Sequence, residues 1–353
     1  MSSKDRTVRS VEALITSGLV APELAAGLHP VADRYAIAIS PAMQRLIADG
    51  APAGIARQFV PDARELTTLA EERADPIGDG IHEKLPGLVH RYPDRVLLKV
   101  THACPVYCRF CFRREMVGPG GPQPMVGAPF DAAIDYISAD TGIFEVILTG
   151  GDPLMLAPRR IGEITARLLA IPHVKLLRWH TRVPVVTPER ITDELTHALR
   201  PDMTDGKAIY IGIHTNHPAE LTGAARDAIT RLQRQGLHLV SQTVLLAGIN
   251  NDPDTLATLF RELVTLGIRP YYLHHPDLAP GTGHFRVSIA EGQAIMRALR
   301  GRISGLALPT YVLDIPGGHG KVTVGPGYIS TDGSTVTDVA GRRHVYPPEP
   351  EAL

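Results

Sequence analysis

The chain has 353 residues, 44% hydrophobic and 21% charged, ordinary proportions for a globular protein that buries a large core. Thirty-six basic residues stand against 37 acidic ones, for a net charge of −1, so composition gives no electrostatic case for nucleic acid or an anionic membrane as partner. No uninterrupted apolar run approaches the ~18 residues of a spanning helix. The start, Met-Ser-Ser-Lys-Asp-Arg-Thr-Val-Arg-Ser, lacks the apolar stretch of a signal peptide. Three cysteines are a poor disulfide framework and fit a reducing compartment, so a cytoplasmic protein is expected.

Residues 1 to about 90 carry helical patterning without strand runs. Apolar residues recur at three- and four-residue spacing in Val11–Gly18, Met43–Asp49 and Ala63–Asp75. Prolines 22, 30, 41, 52, 61 and 76 cut the region into short helices. From Arg95 the pattern changes to short β-branched runs alternating with amphipathic stretches. The runs Val96–Thr101, Glu145–Thr149, Lys175–His180, Ala208–Ile213, His238–Val244 and Pro270–His274 predict strands. The stretches Asp131–Ser138, Arg160–Leu169, Ala219–Arg234 and Asp254–Leu266 predict helices between them. Parallel βαβ units need such crossovers. No Gly-x-Gly-x-x-Gly opens the first unit, which disfavours a dinucleotide-binding sheet. Polar and glycine-rich residues gather just after the strands, as in a barrel with its site at the carboxyl ends. The expected fold is α/β: an incomplete (β/α)6, TIM-like barrel over residues 91–305. A helical region over 1–90 precedes it. A C-terminal segment over 306–353 contains another strand-like run, Thr310–Asp314, and ends in a disordered tail, Pro347–Leu353.

The cysteines lie in Lys99-Val-Thr-His-Ala-Cys-Pro-Val-Tyr-Cys-Arg-Phe-Cys-Phe-Arg-Arg-Glu115, at positions 104, 108 and 111. Three thiolates at C-x3-C-x2-C spacing can hold three corners of a 4Fe–4S cluster, and the fourth iron then stays open to a small ligand. The competing reading is a zinc site of three cysteines completed by His102 or another histidine, although zinc sites more often pair C-x2-C halves from separated segments. After the second predicted strand comes Thr149-Gly-Gly-Asp-Pro-Leu154. Gly150 and Gly151 let backbone approach a ligand closely and Asp152 adds an acceptor, or the segment is simply a tight strand-to-helix turn. Near the C-terminus, Lys321 ends the glycine-rich run Pro316-Gly-Gly-His-Gly-Lys.

The cysteine spacing at the end of an apolar strand resembles the signature of radical S-adenosylmethionine enzymes. The string from Tyr92 through Arg114, with later blocks down to Tyr328, resembles the lysine 2,3-aminomutase family in particular. That resemblance implies a 4Fe–4S cluster on Cys104, Cys108 and Cys111. It implies S-adenosyl-L-methionine with its amino group at Gly150, Gly151 and Asp152. It also implies pyridoxal 5′-phosphate in Schiff-base linkage to Lys321, with Arg95 and Gln242 near its phosphate. Arg113 matches the residue that pairs with the substrate carboxylate, and Asp277 and Asp314 match the pair that grips the distal ammonium of lysine. His319 departs from the family pattern, which has glycine there. His214-Thr-Asn-His-Pro218 also resembles a family block, without a secure role for any one residue.

The implied reaction interconverts L-lysine and β-lysine. The reduced cluster splits S-adenosylmethionine, hydrogen leaves C3 of the held lysine, and nitrogen moves from C2 to C3. An electron donor such as flavodoxin or ferredoxin and a homo-oligomer are implied partners. Three other readings stay open: the same chemistry serving β-lysylation of translation elongation factor P, an aminomutase for another amino acid such as glutamate, and a zinc-stabilised binding protein without catalysis. Two acids at 277 and 314 suit a cationic substrate and disfavour glutamate.

Overall fold

The computed structural model describes residues 6–118, 121, 124–200 and 206–348. The expected tail lies outside them from residue 349 onward. The polypeptide begins with helices α1 (Val11–Thr16), α2 (Ala25–Arg34), α3 (Pro41–Ala48) and α4 (Ala53–Arg57). Ser10 and Ser40 cap α1 and α3, accepting from the backbone of Ala13 and Met43, the role of a short polar side chain at a helix start.

A ten-stranded sheet follows in strict sequence order. Strands β1 (Glu83–Leu85) and β2 (Leu88–Tyr92) form an antiparallel hairpin against β3 (Arg95–Thr101). From β3 the sheet is parallel through β4 (Glu145–Gly150), β5 (Leu176–Thr181), β6 (Ala208–His214), β7 (His238–Val244), β8 (Arg269–His274) and β9 (Thr310–Asp314). The last strand, β10 (Lys321–Thr323), returns antiparallel on β9. The crossovers in order are α5 (Ala128–Ala139), α6 (Pro158–Leu169), α7 (Val183–Val186) with α8 (Asp193–Leu199), α9 (Gly223–Arg234), α10 (Pro253–Thr265) and α11 (Ile289–Leu299). Six strand–helix units, as expected, thus lead to a seventh parallel strand. A small hairpin, β11 (Thr335–Thr337) with β12 (Arg343–Val345), lies apart from the sheet.

Alternation sorts the strand residues. Val96, Leu98, Val146, Leu148, Trp179, Ile211 and Leu273 are fully buried in one core with the inner faces of the helices and of α1–α3. Each such side chain contributes about 1.5–3 kcal/mol of burial. The intervening positions turn to the other face. Parallel pairing sets Lys99 beside Thr149, His180 beside Gly212 and His214 beside Gln242, so a polar row lines the barrel interior.

Three expectations change. Ala63–Asp75 is a single 3-10 turn at Ala63–Leu66 followed by loop. Its acids are spent on tertiary pairs, Glu65 with Arg109 and Arg114 and Glu72 with Arg286, and that fixes the chain outside a helix. The 83–92 stretch is strand, although residues 1–90 show no strand pattern, because β1 and β2 are short and only half covered. Helix α2 forms despite Pro30 at its centre.

Candidate active site

The cysteine loop leaves the carboxyl end of β3 and is tied down by the N-terminal region. Tyr107 N donates to Ala38 O at 3.0 Å and Arg109 N to Gln58 O at 2.9 Å. Glu65, fully buried, takes two cations that flank Cys111: Arg109 at 2.6 Å, and Arg114, whose guanidinium lies 3.5 Å from the Tyr35 ring centre. Cys104, Cys108 and Cys111 line one cavity with Tyr35, Val106 and Tyr107. Burial, with the neighbouring Asp152 and thiols, pushes Cys104 far up. Burial and Cys108 push Cys111 up to about 11. Such thiols ionise together only against positive charge. Among the described residues no three His, Cys, Asp or Glu side chains close around a single ion. A cubane gives each thiolate its own iron and needs no such cage, so the donor set fits an iron–sulfur cluster better than a tetrahedral zinc.

The glycine-rich segment after β4 packs on that loop. A Cβ on Gly150 (φ +112) would lie 2.3 Å from Thr101 O, and one on Gly151 2.4 Å from Ala103 O. The close approach these glycines permit is therefore first of all to the cysteine loop's own backbone. Asp152 points inward and is consumed. Its oxygens accept from Thr181 Oγ1 (2.7 Å), Arg182 N (2.7 Å), Leu154 N (3.1 Å) and Val183 N (3.2 Å). The expected free acceptor is instead a clamp joining the ends of β4 and β5.

Two residues beyond Cys111 and beside the same segment, Arg113 is buried, donating from Nε and Nη2 to Asp79 Oδ2 (3.3 and 3.0 Å) and from Nη1 to Thr149 Oγ1 (3.1 Å). One N–H on each terminal nitrogen remains, the edge that accepts a carboxylate bidentately. Asp79 also faces Arg91 at 3.4 Å and Lys99 at 3.9 Å. Burial raises its carboxyl, but these three cations outweigh it and leave it lowered.

Lys321 opens β10 with its Nζ ion-paired to Asp314, 3.5 Å from His274 Nδ1 and 5.6 Å from the Tyr272 ring centre. Its backbone N–H donates to the Tyr92 hydroxyl at 2.8 Å. Asp277 shares this pocket: burial first and Asp314 second push its carboxyl up to about 7, while Lys321 and Arg113 pull the other way. Arg113, Asp277, Asp314 and Lys321 are thus brought together. Burial, with the surrounding cations, holds His180 and His274 far below their ordinary value and His214 at about 3, so the interior row is lined with neutral imidazoles. Gln242 sits in that row, between His214 and Tyr272. Arg95 stands at its edge, paired with Asp94 at 2.6 Å and stacked 3.9 Å over Tyr92. His319 is exposed, and unlike Gly317, Gly318 and Gly320 it has no positive φ. A side chain is tolerated at this one loop position.

Sequence reasoning singled out the runs that contain Tyr92, Lys99, Arg182 and His274 without giving these residues a role, and it missed Asp79 and Glu65. Asp79 follows Gly78 in a run that reads as an ordinary turn, and its partner lies 34 residues away, beyond any local periodicity.

A family model described as the radical SAM superfamily matches residues 98–260, and one described as lysine-2,3-aminomutase matches 296–351. An L-lysine 2,3-aminomutase of Acetoanaerobium sticklandii is 38% identical over 323 residues, covering 91% of this chain and 77% of that one. One from Fusobacterium nucleatum is 40% identical over 275 residues, 78% of this chain and 64% of that one. A glutamate 2,3-aminomutase of Clostridioides difficile is 38% identical over 264 residues, 75% of this chain and 61% of that one. The chain therefore spans somewhat under two thirds of the length of the last two. With a radical SAM barrel, its three-cysteine loop and both family matches in one polypeptide, the chain belongs to the lysine 2,3-aminomutase family.

Proposed function

We propose that this protein is a 2,3-aminomutase acting on L-lysine. The observation that carries the reading is one pocket that holds Asp314, ion-paired to the Lys321 ammonium, the buried Asp277 close enough to feel both, and the buried Arg113 held by Asp79. The ion pair with Lys321 supports the reading, since it shows that Asp314 is exposed to an ammonium within the pocket. When bound, a cluster with S-adenosylmethionine supplies hydrogen-abstracting power, and pyridoxal phosphate supplies a carrier for the migrating nitrogen. The residues fit these groups: Cys104, Cys108 and Cys111 for the cluster, the backbone at Gly150 and Gly151 for the amino end of S-adenosylmethionine, Lys321 for the aldehyde, and Arg95 and Gln242 for the phosphate side.

The chain's own part is to bind and orient. Arg113, held by Asp79 and Thr149, offers its free edge to the α-carboxylate. Asp277 and Asp314 fix the far amine, so lysine is held by both ends and its C2–C3 bond is presented in one position. Such positioning supplies much of what an enzyme of this kind contributes. Lys321, the residue that would hold pyridoxal phosphate, is the present partner of Asp314, the carboxylate offered to the substrate's far amine. The neutral imidazoles of His180, His214 and His274 line the pocket without adding a competing charge.

The test is an anaerobic assay with reductant, S-adenosylmethionine and pyridoxal phosphate, comparing lysine, glutamate and norleucine. Lysine should turn over and the other two should not. Asp277→Asn should lose more than about tenfold on lysine, since leaving a desolvated ammonium partly unpaired costs roughly 2–5 kcal/mol. Equal turnover of glutamate or norleucine would remove the two-acid clamp and the lysine assignment with it.

A further inference from the structure

Arg182 is the N-terminal flank of α7, at the carboxyl end of β5, and its side chain is 5% exposed. Its Nη1 donates to Cys108 Sγ at 2.8 Å, while Nη2 donates to Glu220 Oε2 at 2.7 Å and to Gln58 Oε1. Glu220 is fully buried and is held by Gln58 Nε2 (3.0 Å) and Asn216 N (3.1 Å). Phe59 and Phe110 lie against the guanidinium, with ring centres at 4.7 and 5.6 Å. The backbone N–H of Arg182 is fixed by Asp152. The two terminal nitrogens are fixed by three acceptors, with one arm aimed at a single sulfur, while the buried Nε has no hydrogen-bond partner among the described residues.

We propose that Arg182 and Glu220 form a buried charge pair that sets the reduction potential of the cluster held by Cys108. This rests on the cysteine trio binding a 4Fe–4S cluster, as read above. Reduction adds negative charge that spreads onto the thiolate sulfurs, and hydrogen bonds to those sulfurs are a main determinant of cluster potential. A donor of positive charge at 2.8 Å, in a dry site where electrostatic effects are large, favours the reduced state. Glu220 sits on the far side of the guanidinium, so the pair acts as a dipole with its positive end toward Cys108. Arg182 is a positioning residue: it touches a thiol and acts through it.

The geometry gives opposite signs for two variants. Glu220→Gln keeps the shape and leaves the Arg182 charge uncompensated, so the midpoint potential should rise. The double variant Arg182→Met, Glu220→Met removes the dipole without leaving a lone buried charge, the replacement a buried pair tolerates best, and the potential should fall. Both are read by potentiometric titration of the reconstituted protein, following the electron paramagnetic resonance signal of the reduced cluster, without substrate turnover. A purely structural role would lower cluster content or melting temperature in both variants and leave the potential of the assembled cluster unmoved, which overturns the proposal. Should the double variant not fold, Glu220→Gln decides alone, and no upward shift refutes the idea. A wild-type protein that takes up no iron and sulfide would instead refute the cluster assignment beneath it.

Discussion

Asp277 sits where three effects compete on one carboxyl. Burial and Asp314 raise it to about 7, against the pull of Lys321 and Arg113. An ordinary aspartate in the unfolded chain ionises near 3.9. Between pH ~4 and ~7 the folded state therefore holds a proton the unfolded state has lost, and this group's contribution to stability declines as pH rises through that window. Substrate binding runs the other way, since an ammonium needs the carboxylate. Lysine affinity of the loaded protein should rise about tenfold per pH unit up to the carboxyl's pKa and level off above it. Norleucine, with no ammonium, should show no such slope, and Asp277→Asn should abolish it for lysine. Calorimetric titrations of lysine across pH 6–9 provide the check; a flat wild-type profile contradicts the assignment. Asp314 is different in kind, because it also holds the Lys321 ammonium, so Asp314→Asn should disturb cofactor loading as well as substrate.

Two loops, neither of them a helix or a strand, decide how the elements meet at the mouth. Gly78 has φ +67, and a Cβ there would lie 2.4 Å from Gly318 N and 2.6 Å from its Cα. The Asp79 turn and the Lys321 loop thus touch backbone to backbone. Gly78→Ala should force them apart, weakening pyridoxal phosphate binding more than tenfold while the cluster's visible absorption stays as in wild type. His319→Gly, at an exposed position without positive φ, should change binding about twofold at most, since such surface changes stay within ~0.5 kcal/mol. Fluorescence titration of the cofactor into the two variants separates them, and equal affinities would show that the loop contact does not matter. The seven parallel strands, β3 to β9, were legible from sequence to within a residue or two, because each is an apolar run ended by a polar or glycine-rich turn, whereas the short antiparallel β1, β2, β10, β11 and β12 were not. So were the thiols, whose chemistry is local. What stayed hidden depends on partners far along the chain. Glu65 resembles part of an amphipathic helix until Arg109 and Arg114 claim it, and Asp152 looks free until Thr181, Arg182 and Val183, at and just past the end of β5, donate three of its four bonds.

At the scale of the molecule the barrel does not close through its backbone, since β1 and β10 are the two ends of the sheet. Open edges leave a seam, and side chains bridge it. His82 Nε2 lies 2.9 Å from Gly318 O, Arg91 faces Asp314 at 3.8 Å, and the Tyr92 hydroxyl accepts from Lys321 N at 2.8 Å. The residues of the proposed site fall on both sides of this seam, with Arg113 and Asp79 on the β3 side and Asp314 and Lys321 on the β9 side. Loading the pocket should therefore stiffen the barrel as a whole, because each bound group ties one edge to the other. Tyr92→Phe deletes one bridge and leaves Lys321 N without its acceptor, a loss of about 0.5–1.5 kcal/mol for a single hydrogen bond, or roughly a two- to tenfold weaker hold on pyridoxal phosphate. Amide exchange should accelerate together in Leu88–Tyr92 and Lys321–Thr323, on both banks of the seam, and remain as in wild type in β5 and β6 opposite. Adding cofactor and lysine should restore protection on both banks. Exchange that speeds up on one bank only, or nowhere, would mean that the two edges are not coupled through Tyr92 and that the seam is held by the loops alone.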